Sequence, residues 1–143
     1  MALDELGTKK TAKGSDRGAA LLEFAMLLPL LLLVMLGIVD FGWALAQNLD
    51  VRHGARETSR LLAVDHFDFT TACNRMDLAT GVTITVSRSG GAVLDEATAT
   101  VTADLNTLTG FFDGWLPSTL TSEVKVLMEQ APTWSTPQTQ SCT

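Results

Sequence analysis

Histidine and cysteine are scarce in this 143-residue chain, two of each, and that scarcity excludes most metal and nucleophile chemistry. His53 and His66 stand far apart without a zinc-ligand spacing of cysteines or carboxylates, so they read as surface residues. CxxC pairs, Gly-rich phosphate loops and a GxSxG elbow are missing too, and Gly90-Gly91 reads as turn chemistry. Without convergent acid, base, nucleophile or metal ligands, neither catalysis nor a cofactor is expected. Basic clusters are also wanting: the formal net charge is −6, which argues against nucleic acid as a partner. No segment repeats at a solenoid period, and the length leaves room for one small domain beyond any membrane segment.

Charge is missing most conspicuously between Phe24 and Val39, where no ionisable residue occurs. From Ala19 to Ala46 the chain is apolar apart from Glu23, Asp40 and a few small residues. Some 28 residues at 1.5 Å each make a helix of roughly 40 Å, enough to cross a bilayer core. Pro29 favours a kink, and Gly37 and Gly42 are thin spots open to another helix. Lys9, Lys10, Lys13 and Arg17 precede the run, so the positive-inside rule places residues 1–18 in the cytoplasm and residues beyond about 47 outside. The expected organisation is a polar leader over 1–18, a transmembrane helix over 19–46 and an amphipathic continuation over 47–65. Arg52, Arg56 and Arg60 form one stripe on that continuation, either a solvated face or a seam for acids on a neighbouring subunit.

Beyond residue 66 the pattern changes to period two. Val82–Val86 and Ala97–Thr102 alternate apolar and polar around Ser89-Gly90-Gly91, which predicts a hairpin, and Glu123–Met128 predicts a third strand. The outer half of the long helix is the available cover for such a sheet. The fold class is therefore α+β: a long membrane-spanning helix extending into a small extracytoplasmic domain with a short antiparallel sheet over 66–130. Phe111, Phe112 and Trp115, in a short helix or loop ended by Pro117, are read as part of the small core in preference to a contact patch. Residues 131–143, rich in Ser, Thr, Gln and Pro, read as a flexible tail fastened only at Cys142. Cys73 and Cys142 both fall on the outer side, where a disulfide between them would persist; two unpaired thiols are the alternative.

Glu23 is out of place, because a carboxylate at the mouth of an apolar run is costly unless it is paired. It belongs to the run Arg17-Gly18-Ala19-Ala20-Leu21-Leu22-Glu23-Phe24, followed by Pro29, by Gly37-Ile38-Val39-Asp40-Phe41-Gly42 and by the Arg-rich stretch 51–60. This order resembles the prepilin peptidase site of the type IV pilin superfamily, and more closely the TadE-like pseudopilins of Tad (Flp) pili. The resemblance covers about a third of the chain. It implies cleavage between Gly18 and Ala19 by a prepilin peptidase, with Glu23 and Phe24 recognised in processing and assembly. It further implies a pilin-like fold and residence in the inner or cytoplasmic membrane. Other pilins or pseudopilins and the Tad assembly platform would be partners in a homo- or hetero-oligomer, with lipid around the helix. The size of the outer domain favours a minor pilin over the major subunit. Two rival readings remain: a secretory signal cut after Ala46, releasing a soluble domain, and an uncleaved single-pass anchor for a binding module.

Overall fold

The computed structural model describes Ser15–Cys142; most of the expected leader, residues 1–14, lies outside the described residues. Helix α1 runs Ser15–Ala63 with Pro29 inside it. It is the one described helix long and apolar enough to cross a membrane. The chain divides into two units, residues 1–35 and 36–143. In the first, every described side chain from Gly18 to Met35 is exposed. The second unit holds the C-terminal part of α1 and the sheet.

Helix α1 ends two residues before the expected Asp65, for a local reason. Asp65 adopts φ 52°, its N–H donates to the Leu62 carbonyl at 3.3 Å, and the His66 N–H donates to that of Leu61 at 3.1 Å. This pair of backward bonds satisfies carbonyls that the last turn leaves unpaired. A five-residue helix, α2 (Phe69–Cys73), follows, capped by Asp68, whose side chain accepts from the Thr71 N–H.

Four strands follow: β1 (Thr80–Arg88), β2 (Glu96–Asp104), β3 (Thr119–Leu127) and β4 (Gln138–Ser141). They form one antiparallel sheet in the order β3-β2-β1-β4. The alternation in the sequence becomes a two-faced sheet: Val82, Ile84 and Val86 of β1 and Ala97, Ala99, Val101 and Ala103 of β2 are buried. They join Val51, Ala55 and Leu62 of α1, with Met128, in one core cluster. The fold class is thus α+β, with the long helix followed by a small antiparallel sheet.

Two expectations are corrected. The segment 131–143 is not simply a tail. Thr83 pairs with Ser141 and Thr85 with Thr139 in the β1–β4 register, and the Thr85 and Thr139 hydroxyls are 3.0 Å apart. Trp134 packs against the core with the Arg88 guanidinium 5.2 Å from its ring centre. The strand Gln-Thr-Gln-Ser carries no apolar residue, so it has no alternation to read; backbone pairing and Cys142 hold it. Nor is Trp115 part of the core: it is 87% exposed, with Phe111 at 57%.

Candidate assembly surface on the long helix

The C-terminal part of α1 turns a stripe at helical spacing toward the sheet domain: Asp40, Gln47, Val51, Ala55, Thr58 and Leu62 are all buried. The successive steps of seven, four, four, three and four residues keep these positions on one helix face. Two of its polar members, Asp40 and Gln47, hold loops. Asp40 accepts from the Thr109 N–H at 2.8 Å and from the Thr109 hydroxyl at 2.5 Å. Gln47 clasps the backbone of Asn106 in both directions, donating Nε2–H to its carbonyl at 2.7 Å and accepting its N–H at 3.2 Å. Asp50 repeats the device, accepting the N–H groups of Leu78 and Ala79, and Asp65, just past the helix end, accepts that of Thr133. A side-chain oxygen on a rigid helix is a fixed acceptor, and a loop amide that reaches it needs no other partner.

The Asp40–Thr109 contact brings a loop onto α1 within residues 19–46, the stretch read from the sequence as the transmembrane helix. A Cβ on Gly37 would lie 3.6 Å from the Phe112 ring, and Phe41 packs on the same ring at 5.6 Å between centroids. The absence of a side chain at Gly54 has a different cause, since a Cβ there would fall 2.3 Å from Met76 Sδ.

The processing residues are placed differently. Gly18, Ala19, Glu23 and Phe24 are all exposed on α1. Among the described residues no atom would meet a Cβ on Gly18 within 4 Å, and its φ is not positive. Neither packing nor backbone geometry therefore asks for glycine at this position, where it weakens a helix by roughly 1 kcal/mol relative to alanine. Arg52, Arg56 and Arg60 are exposed together, on the side of α1 away from the buried stripe. His53 and His66 are exposed as well, and among the described residues no cluster of His, Cys, Asp or Glu gathers to hold a metal. Cys73 and Cys142 form a disulfide with Cα atoms 5.5 Å apart.

Residues 18–60 match the family model described as TadE-like protein. This helical segment is similar to that family. The match starts at Gly18 and ends at Arg60, so it lies wholly within α1 and includes none of the strands. The match is consistent with a pilin associated with the Tad pilus. No match was found among curated proteins or among solved structures.

Sequence reasoning passed over Asp40 and Gln47 as loop anchors. Asp40 was visible as a charge in an apolar run, the same signal that singled out Glu23. Gln47 carried no signal, because its partner is a backbone amide 59 residues away.

Proposed function

We propose that this chain is a TadE-like pseudopilin, a minor pilin that takes part in assembling Tad pili through its N-terminal helix. A prepilin peptidase on the cytoplasmic side of the inner membrane cuts between Gly18 and Ala19. The new Ala19 amine of one subunit then pairs with the Glu23 carboxylate of a neighbour. The observation that carries this reading is the start of the TadE-like match at Gly18, a glycine with no structural role in the described chain. The exposure of Glu23 and Phe24 among the described residues is consistent with it, since residues awaiting a peptidase and then a neighbouring helix stay open to solvent or lipid. Desolvating an acid in an apolar setting is costly unless a well-placed cation compensates, so Glu23 fixes register between subunits more than it adds cohesion.

The test combines processing with incorporation. Mature protein should begin at Ala19, and Gly18→Ala should leave the longer precursor. Glu23→Gln should insert into the membrane at the normal level but enter purified pili or crosslink to their subunits at least about tenfold less, the loss of a buried ionic partner exceeding 1.4 kcal/mol. Mature protein beginning at Gln47 would instead establish the secretory reading. Against that reading, a cut after Ala46 removes Asp40 and leaves Thr109 without its acceptor. An unchanged size for Gly18→Ala together with normal pili in Glu23→Gln would leave the uncleaved anchor.

A further inference from the structure

The segment 105–118 between β2 and β3 presents an exposed apolar surface on the sheet domain. Leu108 is 63% exposed, Phe111 57% and Trp115 87%, while Phe112 packs inward on Gly37 and Phe41. Such a patch on a small domain calls for a partner. Its attachment to α1 indicates which. Asp40, the acceptor for Thr109, is the first charged residue after the uncharged run, and Ala19–Val39 rises about 30 Å, the thickness of a bilayer core. A loop fastened at Asp40 therefore sits at the outer edge of the hydrocarbon. The helix surface at the same level is apolar as well, with Ile38 at 69%, Phe41 at 51% and Leu45 at 61% exposure.

The loop is also built for low polarity. Five of its backbone donors bond within the loop: Leu105 N–H on Ser118, Trp115 and Leu116 N–H on Phe112, Gly110 N–H on the Thr107 hydroxyl and Phe111 N–H on the Thr109 hydroxyl. Asn106 and Thr109 spend theirs on Gln47 and Asp40. Its one charged side chain, Asp113, accepts from the Thr107 hydroxyl. Irregular backbone near a bilayer requires such internal satisfaction. Tryptophan, with an apolar body and one N–H, favours the interface between lipid chains and water.

We infer that the 105–118 loop is a second membrane contact, clasped to α1 through Asp40 and Thr109 and inserting Leu108, Phe111 and Trp115 into the outer interface of the lipid bilayer. It rests on the reading of α1 as a membrane anchor. The contact would fix the depth and rotation of the helix, since a side-on foot resists both sliding and turning about the helix axis.

The test uses the full chain in phosphatidylcholine vesicles, with tryptophan fluorescence as depth gauge. A variant with Trp43→Phe and Trp134→Phe leaves Trp115 as the sole tryptophan. A second variant, with all three replaced by Phe and Phe24→Trp added, reports on the helix itself. Flotation with the vesicles and quenching of the Phe24→Trp reporter by brominated lipid establish the anchor independently of the loop. The inference expects Trp115 emission to shift to the blue, to lose most of its intensity to lipid brominated near the headgroup, and to be little affected by aqueous iodide. Adding Thr109→Val should reverse that pattern by releasing the loop, while flotation persists. Iodide quenching of Trp115 in floated protein would overturn the inference and leave the anchor standing. Protection from both quenchers, lost when the protein is diluted in lipid, would overturn it in favour of a second copy covering the patch. Failure to float would overturn both readings.

Discussion

Thr58 is buried on the sheet-facing side of α1, and among the described residues its hydroxyl has no hydrogen-bond partner. An unpaired hydroxyl loses its water on folding and gains nothing in return. Thr58→Val keeps the shape and removes the unpaired group, so it should raise stability by about 1–2 kcal/mol, read as a higher denaturant midpoint at constant m-value. Asp68 is the converse case, with a carboxylate well supplied with donors. The Thr71 N–H and then the Thr71 hydroxyl hold its carboxyl below the ordinary 3.8. Because the folded form has the lower pKa, this cap contributes fully above the unfolded value and is lost as pH falls through the native one. An NMR titration should place Asp68 below 3.8, and Thr71→Val should move it part of the way back. Asp68→Asn, which still accepts the amide, should abolish that part of the acid dependence while retaining α2.

At the scale of elements, the sheet was the more legible half of the domain. Val82, Ile84 and Val86 alternate with threonines, and the same residues line the core. Truncating the centre of that strand, Ile84→Ala, should cost about 2–5 kcal/mol by chemical denaturation, because Ile84 is fully buried with no solvent to fill the gap. A truncation on the opposite face of α1, such as Arg56→Ala, should cost within about 0.5 kcal/mol, as expected for an exposed position. Strand β4 was not legible, since Gln138–Ser141 offers only polar side chains and acquires its place from β1. The loop anchors were half legible: Asp40 and Asp50 could be seen as charges on a helix, but their acceptor role depends on amides from distant segments. Trp115 was misread because aromatic content predicts burial only where the domain has a face left to fill.

For the whole molecule, the disulfide sets the largest single constraint on the unfolded chain. It joins α2 to the residue after β4 across 69 positions, and Cys142 N–H donates to the Val82 carbonyl at 2.8 Å. Closing a loop of that length stabilises by about 4 kcal/mol on chain-entropy grounds. Reduction, or the double change Cys73→Ser and Cys142→Ser, should lower unfolding stability by that order. Hydrogen exchange should show β4 amides losing protection before those of β1 and β2, because β4 packs no apolar side chain of its own.

The sequence by itself determined the long apolar helix, the α+β class, three of the four strands and the motif that begins at Gly18, all of which are written in local periodicity and short-range order. Only the tertiary structure decided the rest. It joined Cys73 to Cys142, gave a polar tail its strand, exposed Trp115, and turned Asp40 from a stray charge in an apolar run into the acceptor that holds a loop. Each of these depends on a partner many residues away, and a hydrogen bond or a packed face between distant segments leaves no periodic trace along the chain.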